Sequence, residues 1–196
     1  MSQADVLLQE VQSCTVCAST LPAGPRPVVQ FSGRSRLVII GQAPGSRVHA
    51  SGVPWNDRSG ERLRDWTGLT AAEFYDPTKV ALIPMGFCYP GAGKSGDLPP
   101  RRECAPLWHD RILEVLPARR LTLLVGGYAQ ARYLGKGQAL TKTVKNFARH
   151  RPDFFPLPHP SWRSAIWMRR NPWFEAEVLP ELQQAVREAM SGGSKE

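Results

Sequence analysis

No apolar run in this 196-residue chain approaches the length of a membrane span, and no apolar leader segment opens it. A cytoplasmic protein is therefore expected, with no membrane partner. Disulfides, which need an oxidising compartment, are not expected. The G-x-x-x-x-G-K-[ST] pattern is missing, so a P-loop is excluded. No internal repeat is found, which removes solenoids and propellers. Acidic residues are scarce, 17 against 25 basic ones, and the net charge of +8 favours a polyanionic partner. Nucleic acid, an anionic membrane surface and an acidic protein are the candidates on charge alone.

Cysteine is also scarce, but the four present form one layout: Cys14 and Cys17 as C-x2-C, then Cys88 and Cys104. Four thiolates complete a tetrahedral zinc site or carry an iron–sulfur cluster. The plain alternative is buried unpaired cysteine, which behaves as a small hydrophobe.

Proline and tryptophan are abundant instead, at 18 and 6 residues. Four short apolar runs read as buried strands: Leu37–Ile40, Val80–Ile83, Leu121–Val125 and Phe154–Leu157. Helical patterns fall between them, over Ser59–Trp66, Arg101–Leu116 and Gly127–Leu134, with Gly135 as a stop. Asn171-Pro172 reads as an N-cap and first helical turn, with a break expected at Pro180. This alternation predicts one α/β domain over residues 1–190 with a mostly parallel sheet, and residues 191–196 as a disordered tail.

The unusual loops all follow strands. Gly41-Gln42-Ala43-Pro44-Gly45 follows the first, Pro84–Pro90 the second, Gly126-Gly127-Tyr128 the third and Pro158-His159-Pro160-Ser161 the fourth. In a parallel α/β sheet these loops share the edge where ligands bind. Glycine in the first loop permits close backbone approach to a ligand. The prolines around His159 fix where its imidazole points, and Ser161 suits a helix cap near an anion site. Arginine and tryptophan interleave through Trp162-Arg163, Trp167, Arg169-Arg170 and Trp173, as a nucleic-acid face would require. The plainer reading is a helix with a solvated basic side.

Taken in order, Gly41-Gln-Ala-Pro-Gly45, Gly52-Val-Pro-Trp55 and His159-Pro-Ser161 resemble the uracil-DNA glycosylase superfamily. The cysteine layout, with fifteen residues between Cys88 and Cys104, is similar to its iron–sulfur (family 4) branch. The resemblance implies an α/β/α sandwich around a four-stranded parallel sheet, and a structural [4Fe–4S] cluster on Cys14, Cys17, Cys88 and Cys104; zinc is the alternative. It implies a DNA repair enzyme, expected as a monomer and nucleoid-associated through DNA binding, that flips uracil or a related deaminated base and hydrolyses its N-glycosidic bond.

By the same resemblance, Gly41, Ala43, Pro44 and Gly45 surround the flipped base and the attacking water, Trp55 stacks on the base, and His159 donates to a base oxygen. Ser161, Trp162 and Arg163 enter the DNA. The chain departs from the pattern at three places. Gln42 stands where the iron–sulfur branch has Glu, and Ala43 where another branch has its catalytic Asp, so this loop supplies no acid. His49 falls where an acidic residue is common, which makes His49, Asp57 and Gln42 the candidates for water activation. No base-reading Asn follows Cys88; Tyr89–Lys94 takes its place, with Tyr89 as a possible reader. A Lys94 nucleophile in a lyase variant is the minor option. The competing expectation is a metal-stabilised nucleic-acid-binding module without turnover.

Overall fold

The computed structural model describes residues 1–192. In chain order the strands are β1 Leu37–Ile40, β2 Val80–Leu82, the short pair β3 Ala92–Gly93 and β4 Gly96–Asp97, β5 Leu121–Val125 and β6 Phe154–Leu157. The helices are α1 Gln3–Gln12, α2 Ser46–Ser51, α3 Arg58–Thr67, α4 Ala71–Phe74, α5 Cys104–Glu114, α6 Gly127–Tyr133, α7 Leu140–Lys145, α8 Arg163–Arg170 and α9 Leu179–Ser191.

The main sheet has the order β2-β1-β5-β6, and every pair in it is parallel. Its strands are continuous apolar runs because both faces are covered. Leu37, Ile39, Leu82 and Leu123 point to one side, where Leu63 and Trp66 of α3 and Leu182 and Val186 of α9 close over them. Val38, Ile40, Ala81 and Leu124 point to the other, against Leu7 and Val11 of α1 and Trp108 and Ile112 of α5. The result is the expected three-layer α/β/α sandwich with a four-stranded sheet. Pro156, which cannot donate to a ladder, lies on edge strand β6.

Local differences from the sequence expectation have physical causes. Asn171 does not cap a following helix; its amide donates to the Trp167 carbonyl at 2.9 Å and closes α8 instead. The chain does not break at Pro180, which sits in the first turn of α9, where its missing N–H costs nothing. A π-helical segment, Phe174–Val178, leads directly into that turn. The Ser161 side chain caps nothing: the Ser161 carbonyl accepts from the Ser164 N–H and hydroxyl at 2.9 and 2.6 Å. Ser191 is helical and the Gly192 carbonyl accepts from Arg36 at 2.6 Å, so both belong to the folded chain rather than to the expected tail. The remainder of that tail, residues 193–196, lies outside the described residues.

This strand order places neighbours on opposite sides of β1: β2 on one and β5 on the other. The carboxyl ends of β1 and β5 therefore mark a topological switch point, where open α/β sheets form a crevice.

Candidate active site and thiol pocket

A cavity of about 430 Å³ opens at those strand ends. Gly41, Gln42, Ala43, Pro44 and Gly45 line it from the end of β1, Pro84 from the end of β2, and His159 from the end of β6. Trp55, Asp57, Ser161, Trp162 and Arg163 complete the wall, together with Ser95, Gly96 and Asp97 of the small hairpin. The β1 loop is held by two backbone bonds, from Met85 N–H to the Gly41 carbonyl at 2.9 Å and from Gly86 N–H to the Gln42 carbonyl at 3.0 Å.

Trp55 is the most constrained residue of this wall. Its φ of 57° is left-handed, a conformation that non-glycine residues rarely adopt. Gly60 makes room for it, since a Cβ there would meet the Trp55 carbonyl oxygen at 1.7 Å. The same carbonyl accepts from the Tyr75 hydroxyl at 3.4 Å, and Arg64 donates to that hydroxyl at 3.2 Å. Burial raises the Tyr75 pKa, which keeps the phenol a donor. The indole faces the His159 ring with centroids 5.8 Å apart and planes tilted by 32°.

His159 is packed from below by Gly126, whose φ is +89° and whose missing Cβ would stand 3.5 Å from His159 Cβ. Burial pushes its pKa below the ordinary value of 6.5, partly opposed by Asp57, so the imidazole is neutral at neutral pH. The loop that carries it is clamped by Arg62 of α3. This guanidinium donates to the Pro160 carbonyl at 3.3 Å, the Ser161 carbonyl at 2.5 Å and the Ser164 hydroxyl at 3.1 Å. Next along the chain, Trp162 is 70% exposed, an unusual setting for so large an apolar ring. The Arg163 guanidinium lies 5.2 Å from its centroid and donates to the Ser95 carbonyl at 2.9 Å. The rim loop and the hairpin are thus tied together.

Two carboxylates face the cavity. Asp57 caps α3, accepting from Gly60 N–H at 2.8 Å, so the capping role and the cavity position coincide. Asp97, at the end of the hairpin, was not a candidate from sequence. Burial pushes its carboxyl above the ordinary range, with the Tyr89 hydroxyl pulling it back and Asp57 adding to the rise.

The structure does not bring His49 or Tyr89 to this wall. On α2 it is Val48 that turns to the cavity, while the His49 ring faces Tyr89 with centroids 5.9 Å apart. His49 Nδ1 is buried without a partner. Lys94 is also off the cavity lining, in the exposed turn between β3 and β4.

The four cysteines come from three separate stretches of the sequence but line one smaller pocket, with Pro25, Pro27, Arg101 and Trp108 among its walls. All four are free thiols. Burial raises the Cys88 pKa and pushes that of Cys104 up to about 11, so without a ligand these thiols stay protonated. No group of three or more His, Cys, Asp or Glu among the described residues stands at single-ion spacing. Two further atoms test the fit of a bound group. Arg101 Nε and Trp108 Nε1 are buried N–H donors without an acceptor, and both residues line this pocket. A pocket with four thiol donors and unmet N–H groups fits a metal group that presents acceptor atoms of its own.

A parallel-sheet sandwich with a rim cavity, walled by a clamped histidine and a strained tryptophan beside an exposed Trp-Arg pair, has the features of a base-handling protein. A family model of the Uracil DNA glycosylase superfamily matches residues 29–183. The chain belongs to that superfamily, whose members are generally DNA glycosylases acting on DNA. No helix among the described residues is long and apolar enough to cross a membrane.

Proposed function

We propose that this protein is a monofunctional DNA glycosylase that flips uracil or a related deaminated base out of DNA and hydrolyses its N-glycosidic bond, leaving an abasic site. The observation that carries this reading is the placing of Trp55 and His159 on one cavity, their rings 5.8 Å apart, beside the exposed Trp162-Arg163 rim. A cavity of about 430 Å³ is within the usual range for small-ligand sites. An extruded base gains stacking on the Trp55 indole, and the space it leaves in the helix is filled from the rim by Trp162.

Heterolysis of the C1′–N bond sends the bonding pair to the base and leaves an oxocarbenium-like sugar. His159, neutral because it is buried, donates one N–H to the oxygen on which the negative charge collects. Asp57 and Asp97 stabilise the cationic sugar from the same cavity. Water then adds its oxygen to C1′ and gives its proton to a carboxylate. Of the two, Asp97 is the better acceptor, because burial, with the neighbouring Asp57 charge, raises its carboxyl above the ordinary range. Gln42 and Ala43 have no ionisable group, so the loop contributes shape and backbone rather than acid–base chemistry.

The cysteine layout supports the iron–sulfur branch of the superfamily. Cys14, Cys17, Cys88 and Cys104 would hold a [4Fe–4S] cluster, which supplies a covalent tie between the segment after α1 and the start of α5. The all-thiolate donor set suits such a cluster, and zinc on the same four thiolates is the alternative.

The test is incubation with labelled duplexes carrying uracil, hypoxanthine, xanthine or hydroxymethyluracil, followed by alkali. Strand cleavage at one or more of these is the expected result. A second reading, a DNA-binding module without turnover, draws on the acid-free Gln42-Ala43 loop; tight, salt-sensitive binding with no base release from any duplex would favour it.

A further inference from the structure

Among the described residues, three buried side-chain N or O atoms lack a hydrogen-bond partner: His49 Nδ1, Arg101 Nε and Trp108 Nε1. Two of the three belong to the thiol pocket. Buried N–H groups are nearly always paired, because an unmet one forfeits the bond it made to water. Two unmet donors against one small pocket therefore point to an acceptor that belongs there.

The pocket wall is otherwise Leu21, Pro25, Pro27, Phe87 and the cysteines, so sulfur atoms are the acceptors at hand and no carboxylate is among them. One terminal nitrogen of the Arg101 guanidinium donates to Glu103 at 2.5 Å, while its Nε is buried without a partner. Trp108 is buried on α5, one turn after Cys104, with the Arg111 guanidinium 5.0 Å from its ring. Each of these two pocket-lining side chains thus carries one buried N–H without a partner.

We propose that Trp108 Nε1–H and Arg101 Nε–H are hydrogen-bond donors to the sulfur atoms of the metal group held by Cys14, Cys17, Cys88 and Cys104, and that they tune its reduction potential. This rests on the iron–sulfur reading given above. Electron uptake adds negative charge that is shared by the sulfurs, and N–H donors aimed at sulfur stabilise the more negative state. Donors of this kind raise the reduction potential.

The test uses full-length protein purified without air. Trp108→Phe removes one N–H and preserves the ring's bulk; Arg101→Lys removes Nε–H and preserves charge. Iron and sulfide content and the visible spectrum establish loading, and the reduction potential is then read by voltammetry. The expected result is wild-type iron content with a potential shifted to more negative values in each variant. Should Trp108→Phe fold poorly, Arg101→Lys carries the measurement alone. Iron-loaded variants with unmoved potentials overturn the assignment. Wild-type protein that is colourless and retains zinc overturns the cluster reading and the assignment together, so the two failures are told apart by the wild type.

Discussion

The indole of Trp55 rests directly on the backbone of Gly41: a Cβ at Gly41 would lie 2.5 Å from Trp55 Cζ2. Gly41 directly follows β1, so the end of the first strand, the cavity wall and the stacking ring share one contact. Gly41→Ala is expected to displace the ring. Overpacking of this kind costs about 1–3 kcal/mol, and base release should fall by about ten-fold or more. Denaturant unfolding and single-turnover base release check the two effects separately. Unchanged base release would show that Trp55 placement is not critical.

The two cavity carboxylates should separate by phenotype. Asp57→Ala removes the N-cap of α3, and such losses cost about 1 kcal/mol. Asp97→Ala has no cap to break, since Asp97 lies in the exposed hairpin. It is expected to leave stability within about 0.5 kcal/mol of wild type while lowering kcat. Thermal melts paired with kcat measurements distinguish them; a kcat unaffected by Asp97→Ala removes that residue from the mechanism.

Two histidines give opposite tests in the acid range. His109 is fully buried, donates from Nε2 to the Pro84 carbonyl at 3.0 Å and accepts at Nδ1 from the Tyr133 hydroxyl at 2.7 Å. Burial pushes its pKa from 6.5 down to about 4. The folded state therefore binds fewer protons than the unfolded one between these values, and stability falls as pH drops through them. The loss amounts to about 3 kcal/mol at 1.36 kcal/mol per pH unit. His109→Gln should flatten that limb of the stability–pH curve. His159 is also shifted down, so its NMR titration should have a midpoint below 6.5, with kcat/KM level from neutral pH to that value. A midpoint above 6.5 would contradict the neutral-donor role.

The rim predicts how DNA binding responds to salt. Arg163→Ala should weaken binding to all sequences and reduce the slope of log K against log salt by about one phosphate contact. Trp162→Ala should cost about 1–3 kcal/mol of binding with little change in that slope. Fluorescence titrations over a salt series measure both. Equal slopes for wild type and Arg163→Ala would place that guanidinium off the phosphates, on its Ser95 contact alone.

Much of this architecture could be read before any coordinates, and the reasons are specific. Leu37–Ile40 and Leu121–Val125 were legible because strands covered on both faces are uninterrupted apolar runs. His159 was legible because prolines on both sides marked a shaped loop after a strand. Asp97 was not, since its arrival at the cavity depends on a hairpin turned by Gly91 and Gly96 at φ of 105° and 131°. Arg62 carries no motif signal, because only tertiary packing gives it two carbonyls and a hydroxyl to hold. His49 was placed on the site by position in a motif, yet a six-residue helix is too short to declare which side faces inward, and Tyr89 lies in a loop whose path no periodicity marks.

The central claim is that the Trp55–His159 cavity breaks a glycosidic bond with His159 steadying the departing base. Single-turnover release of uracil from duplex DNA, compared between wild type and His159→Ala, tests it most directly. Losing a preorganised donor of this type costs about 10²–10³ in rate, so a drop of that size with near-normal DNA affinity is expected. Equal rates in the two proteins would contradict the account.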